Sequence, residues 1–202
     1  MWRSESVGRG VLNPFIALAD MYMNLLLILC FFVAAVLALS HGFWEQAQYR
    51  ALQTAFYASV MQELPRSLRP MPYFWRHDPP GAQRWVFWQK RFFVPHTSQL
   101  TSEGREAFVR FARVVRKHAD KWRRIRIEGH TLPPRPGEPD DWMLSAARAA
   151  AVAQIFHSQG HVPAHLLAVA GRAGQTPLSK DAPWNPDNER VEIIIEFVQT
   201  GV

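Results

Sequence analysis

Cysteine is all but missing. Cys30 stands alone in 202 residues and sits inside an apolar run. No intrachain disulfide can form, so thiols give no sign of an oxidising compartment, and the expected role of Cys30 is that of a packed, buried thiol. There is no glycine-rich phosphate loop and no Ser/His/Asp arrangement with nucleophile spacing. Those gaps exclude the common sequence routes to nucleotide hydrolysis and acyl transfer, and predict a chain that is not an enzyme and needs no cofactor. A nucleic-acid module is missing too. The formal charge is +6, from 23 Lys+Arg against 17 Asp+Glu. The basic residues gather in runs such as Arg113 to Arg126, without the interleaved stacking aromatics of a recognised module. They read as a solvated helix face plus a strand, compatible with an anionic envelope polymer or lipid surface; direct nucleic-acid binding is not expected. His157, His161 and His165 are evenly spaced, but Gly160 and Pro163 break the helix that would align them, so no metal site is expected.

Acid is scarcest where hydrophobicity is greatest. From Phe15 to Leu39 the chain reads FIALADMYMNLLLILCFFVAAVLAL, with Asp20 its one carboxylate. A helix needs about 20 apolar residues to span a bilayer core, and this run exceeds that. A signal-peptide core is shorter and carries no acid, so a retained membrane helix over 15–40 is predicted. Arg3 and Arg9 precede it while Glu45 and Arg50 follow. That thin positive bias places the N-terminus in the cytoplasm and everything after Ser40 outside. A carboxylate within such a helix costs roughly 2.5–3.5 kcal/mol on insertion scales and is seldom kept without a use. On a 3.6-residue helix Asp20, Asn24, Phe31 and Ala38 share a face, with Ala17 and Ala35 beside it, and small residues there let another helix approach. Asn24 can hydrogen-bond the carboxyl or a partner. Asp20 either exchanges an ion or holds helices together by hydrogen bonding.

The rest divides by composition. Residues 1–14 form a polar lead ending at Pro14, where a helix can start without losing a hydrogen bond. Residues 41–82 are expected to hold an amphipathic helix and a linker. Leu52, Phe56, Val60 and Leu64 recur every four residues, Pro65 ends the helix, and residues 65–81 carry prolines at 65, 70, 72, 79 and 80, which favour extended backbone. Tyr73, Phe74 and Trp75 are expected to pack on something. A globular domain then covers 83–202. Arg84 to Val94 reads as a first strand; Thr101 as the N-cap of a helix with Glu103 and Glu106 in its first turn and Phe108, Phe111, Ala112 and Val115 on one face. Arg124 to Glu128 reads as a second strand with Ile125 and Ile127 inward, Trp142 to Gln159 as a helix stopped at Gly160, Leu166 to Ala170 as a third strand, and Val191 to Val198 as a fourth. The fold class is α+β: one transmembrane helix, a linker helix, then β-α-β-α-β-β with helices on one side of a mixed sheet.

Two separated regions resemble one family. Pro14-Phe15-Ile16-Ala17-Leu18-Ala19-Asp20 and Cys30-Phe31-Phe32-Val33 resemble the span of MotB-type stator subunits. The domain resembles the OmpA-like peptidoglycan-binding domain through Ile127-Glu128-Gly129-His130-Thr131, Trp142 to Ala149, Gly171 to Pro177, and Asn188-Glu189-Arg190-Val191-Glu192-Ile193. The resemblance implies a homodimer whose two membrane helices sit inside a ring of five A subunits (MotA-like, or ZorA-like). In that setting the aspartate matching Asp20 takes up and releases an ion, proton rather than sodium, as the ring turns. It also implies a bacterial inner-membrane protein with a periplasmic domain bound to peptidoglycan, and it lets the 44–64 stretch match the family's plug. Two settings share this architecture: flagellar stators and the ZorB subunit of Zorya anti-phage defence.

The departures are specific. Asp20 is followed by Met21-Tyr22-Met23-Asn24 instead of the family's Leu-Met-Thr or Leu-Met-Ser. Leu132 stands where the family's aspartate contacts the diaminopimelate end of the peptide stem. These lean the reading towards a defence or other specialised motor. Arg148 matches the arginine that clamps a carboxylate through a bidentate fork, with Thr131 and Leu144 in the same motifs. Asp140 or Asp141 either replaces the lost acid or caps the following helix. Asn188 and Arg190 either line the groove or close the last loop, and His130 is a strand-end packing or groove residue. The rival to a motor is a static tether between inner membrane and wall.

Overall fold

The computed structural model describes residues 14–198; apart from Pro14, the expected polar lead over 1–14 lies outside them. The chain divides into two units, Met1–Glu45 and Gln46–Val202. One helix, α1 (Pro14–Glu63), gives its apolar part to the first unit and its last turns, from Gln46, to the second.

In the first unit the side chains from Phe15 to Leu39 are all exposed. Such a surface is costly in water, and the helix is long and apolar enough to cross a membrane. Cys30 is exposed on it as well. The thiol expected to be buried is thus not covered by any described residue of this chain.

The second unit is a five-stranded sheet with helices on one face. Its strands are β1 (Met71–Tyr73), β2 (Ala82–Trp88), β3 (Trp122–His130), β4 (Leu167–Gly171) and β5 (Arg190–Phe197), in the spatial order β1-β2-β5-β3-β4. β5 pairs antiparallel with β2 and β3, and β3 pairs parallel with β4, the pairing that needs a crossover helix between them. β5 is buried along its whole length. It is rich in β-branched residues, as a central strand covered on both faces should be. Ile125, Ile127, Val191, Ile193, Ile195 and Phe197 face helices α3 (Ser102–Lys117) and α4 (Trp142–Ser158) and form the core with Phe108, Phe111, Val115, Val152 and Phe156. Thr101 caps α3, its hydroxyl accepting from the Gly104 backbone N–H at 2.9 Å. Glu106 instead pairs with Arg110 one turn on, at 2.9 Å. Trp122 Nε1 donates to the Val115 carbonyl at 2.8 Å, tying the start of β3 to the end of α3.

Three expectations change. The first strand stops at Trp88 and the chain turns through the short helix α2 (Gln89–Phe92), because Phe92 and Phe93 turn into the core. The stretch from Gln46 onward belongs to the domain and is no separate linker. Phe56, Val60, Leu64 and Leu68 are buried in the same core, each contributing about 1.5–3 kcal/mol of apolar burial. Arg69 folds back on the end of α1, donating to the carbonyls of Leu64 (2.9 Å) and Met61 (2.5 Å), two groups the helix leaves open. The proline-rich stretch supplies edge strand β1, where Pro72 lies opposite Trp85; an edge tolerates the missing N–H. Of the aromatics there, Tyr73 joins the sheet and Trp75 covers Arg84, while Phe74 is 86% exposed among the described residues.

Candidate functional site

On the span, Asp20 and Asn24 fall on one face with Ala17, Met21, Leu25 and Ile28, so the helix brings the two polar side chains together as its periodicity requires.

The domain's expected site residues separate into distinct places. At the start of α4, Asp141 occupies the N-cap position but its side chain makes no capping bond. Asp140 instead clamps a loop: its carboxylate accepts from the backbone N–H of Asp141 (3.0 Å) and of Gly174 (3.2 Å), and from the Gln175 side-chain amide. Thr131 holds the same loop through its backbone, donating to the Ala173 carbonyl at 3.0 Å. Its buried hydroxyl has no partner among the described residues. Ser145 bridges α4 and this loop, donating to the Trp142 carbonyl at 2.8 Å and accepting from the Ala173 N–H at 3.2 Å. The approach is close enough that a side chain at Gly129 would strike the Ser145 carbonyl.

Arg148 is turned inward, its side chain 0% exposed. Nε donates to the Thr97 carbonyl at 3.0 Å, and Nη1 meets Glu189 at 3.3 Å. Nη2 has no partner among the described residues. The carboxylate this guanidinium holds is therefore the chain's own, on Glu189, which is 21% exposed. Leu144, four residues earlier on α4, is half-buried. Asn188 closes the last loop: its carbonyl oxygen accepts from the N–H of Leu178 (2.8 Å) and Ser179 (3.3 Å), and its amide donates to the carbonyls of Ala182 and Pro183. With those bonds made, it has little left for a groove.

Arg190 points to the sheet face away from α3 and α4, into a buried ion network that sequence reasoning missed. There Arg84 bonds Asp78 through Nε (2.8 Å) and Nη2 (2.6 Å), while its Nη1 reaches Glu128 at 3.2 Å and Glu192. Arg126 adds a contact to Asp78 at 3.3 Å. Arg190 binds Glu192 at 2.5 Å and the carbonyls of Asn188 and Thr176 at 2.9 Å. The signal was present but needed the register: Glu128 lies opposite Glu192, and His130 opposite Arg190, so alternation stacks charges of both signs on one face. Burial would raise the Glu192 carboxyl, but nearby His130 and the Arg190 and Arg84 guanidiniums outweigh it and hold it well below the usual range. Burial lowers His130 despite Glu192, so the ring stays neutral at neutral pH. Burial also pulls Arg84 down, yet its carboxylates prevail and keep it charged.

Glu128, His130 and Glu192 bring donor atoms within 4.8 Å of one another, a set that could ligate a metal. Arg84 already bonds both glutamates, so the seat is taken by a guanidinium.

A mixed sheet with two helices on one face, preceded by a long apolar helix, is the architecture of OmpA-like domains carried on an N-terminal helix. Residues 92–191 match the family model described as the OmpA family, and the second unit has an OmpA-like fold. Its fold is similar to the cell wall anchor of the T6SS from Pseudomonas aeruginosa, 20% identical with a TM-score of 0.56 over 72% of this chain and 97% of that one. It is also similar to the periplasmic domain of Helicobacter pylori MotB, 17% identical with a TM-score of 0.53 over 64% of this chain and 89% of that one. Among curated proteins, the uncharacterized protein YtxE of Bacillus subtilis (strain 168) is 38% identical over 82 residues, which is 38% of this chain. The chain spans 34% of the length of that relative.

Proposed function

We propose that this chain is the B-type subunit of an ion-driven, inner-membrane rotary motor, MotB-like in plan, with its outer domain anchored to peptidoglycan. In this reading the span crosses once, N-terminus in the cytoplasm, and pairs with a second copy inside a pentameric MotA- or ZorA-like ring. Asp20 carries a proton, with Asn24 beside it as hydrogen-bond partner. The observation that carries the proposal is the single carboxylate on an otherwise apolar, exposed helix that leads into a domain of OmpA-like fold. A carboxyl group in an apolar setting favours its neutral form until a counter-charge approaches, so a ring whose contacts depend on that charge is biased as the proton moves.

The load we assign is a specialised one, such as the anti-phage defence of ZorB-like subunits, rather than the flagellum. Supporting that are Leu132 in place of an acid, the diverged residues after Asp20, and an Arg148 already engaged by Glu189.

Asp20→Asn tests the motor against a static tether. It keeps shape and hydrogen bonding but cannot titrate. The motor reading expects biological output to vanish while assembly and sedimentation with isolated peptidoglycan persist. Undiminished output in this variant rejects the motor and leaves the tether.

A further inference from the structure

The turn between α3 and β3 gathers five cations, Arg116, Lys117, Lys121, Arg123 and Arg124. Lys121 is half-buried and the other four are exposed. The backbone beneath them is fixed. The Ala119 N–H donates to the Arg116 carbonyl at 3.1 Å, the Lys121 N–H to the His118 carbonyl at 2.9 Å, and the Val198 N–H to the Lys121 carbonyl at 2.9 Å. Charges mounted on a turn held in this way lose little freedom when they meet a partner.

Local acids do not cancel them. Asp120 pairs with Lys121 at 2.9 Å and Glu196 with Arg123 at 3.4 Å. Arg116, Lys117 and Arg124 have neither hydrogen bond nor ion pair among the described residues. The negative end of the α3 dipole favours Arg116 and Lys117 in the last turns. A partial charge of about −0.5 does not balance two cations, however, and it fades before Arg124. The surplus is felt inside the turn: burial, with Lys117 and Lys121, outweighs Asp120 and lowers the pKa of His118.

The surroundings select the kind of anion. The one aromatic of the turn, Trp122, is 4% exposed and its Nε1–H is held by the Val115 carbonyl, so no ring is offered for a base or a sugar to stack on. Guanidiniums and an ammonium without that platform suit phosphate groups. The unit that carries them begins at Gln46, a few residues beyond the apolar run that ends at Leu39. A bilayer surface is therefore kept at high effective concentration by the chain itself.

We infer that this turn docks on the surface of the bilayer that the span enters, through the phosphates of anionic lipid headgroups. The inference rests on the single-span reading above and is separate from wall anchoring. Arg116, Lys117 and Arg124 supply the attraction, because Lys121 and Arg123 are already paired. Each such cation near an anionic surface is worth about fivefold in partitioning, so the three together give on the order of a hundredfold.

The test uses the full-length chain in nanodiscs of phosphatidylcholine alone or of equimolar phosphatidylcholine and phosphatidylglycerol. Mass spectrometry reads the rate at which a neutral acylating reagent modifies the Lys117 amine, with Lys90, exposed on α2, as internal reference. At about 0.1 M salt, where the Debye length is about 10 Å, Lys117 should react at least about fivefold more slowly in the anionic discs while Lys90 is unchanged. At about 1 M salt, where that length is about 3 Å, the difference should vanish. Arg116→Gln combined with Arg124→Gln, at side chains with no partner to lose, should bring Lys117 to within about twofold of its rate in neutral discs. Equal Lys117 rates in the two discs, protection that survives the high salt, or protection indifferent to the double variant overturns the inference. Slowing by added sacculus fragments in neutral discs, with none in anionic discs alone, also overturns it and gives the surface to a wall polymer. Size-exclusion chromatography separates the two levels. A chain that enters neither disc fails the single-span reading, whereas an incorporated chain with equal Lys117 rates fails the docking alone.

Discussion

Phe56→Ala tests whether the stretch after the span is a free plug or part of the domain. Phe56 is fully buried. Its ring meets those of Trp85 (5.9 Å), Phe111 (5.8 Å), His118 (5.4 Å) and Phe197 (5.7 Å), linking α1 to β2, α3 and β5 at one point. Truncating such a phenylalanine costs about 3–5 kcal/mol, the lost transfer energy plus the cavity left behind. In a unit of this size each kcal/mol moves the midpoint by about 2–4 °C, so a drop of about 6–20 °C is expected. The assay is thermal unfolding of the full-length chain in detergent, followed by near-UV circular dichroism, which reports the packing of Trp85. Leu52→Ala, at a half-buried neighbour on the same helix, should cost clearly less. A Phe56→Ala midpoint within about 2 °C of wild type, with the near-UV spectrum unchanged, would refute the claim that this helix is core. If the claim holds, any plugging by residues 44–64 must first draw Phe56, Val60 and Leu64 out of the domain, which makes release of that stretch an energetically demanding step.

The other predictions concern charge. Arg84→Met leaves Asp78, Glu128 and Glu192 buried without their shared cation and should cost about 3–5 kcal/mol by urea unfolding. Lys90→Met, at an exposed pair with Asp187, should cost less than about 1 kcal/mol. Glu192 titrates lower folded than the ~4.3 of a free glutamate. Its contribution is therefore complete above that value and is lost as pH falls through the folded value. His130, also lowered by burial, acts in the same direction from ~6.5 downward. The midpoint should fall on acidification, and Glu192→Gln should lower it at neutral pH and flatten the acid limb. Finally, Arg148 can hold a wall carboxylate only if Glu189 yields it. Arg148→Ala should reduce sedimentation with isolated peptidoglycan and Glu189→Gln should increase it; the reverse order would remove Arg148 from the wall site.

The elements with strong local periodicity were legible in the sequence: the apolar run of α1, the Thr101 cap and apolar face of α3, and the alternation of β3 and β5. What depended on tertiary pairing was not. Proline punctuation at 65–81 read as linker, since nothing local shows that Leu68 is buried and Tyr73 pairs with Arg84. The same limit hid the ion network, whose members come from residues 78, 84, 126, 128, 190 and 192 and meet only through register. At the candidate site, motif position does not say which way Arg148, Asp140 and Asn188 face. Arg148 is turned to Thr97 and Glu189, and Asp140 and Asn188 spend their bonds on loop backbone.

The most direct measurement is cryo-electron microscopy of the full-length chain with the membrane protein that co-purifies with it. The account predicts two copies of this chain, their α1 spans enclosed by a ring of five partner subunits, with Asp20 of at least one copy against the ring. A span with no ring around it, or an Asp20 that meets only lipid, would contradict it.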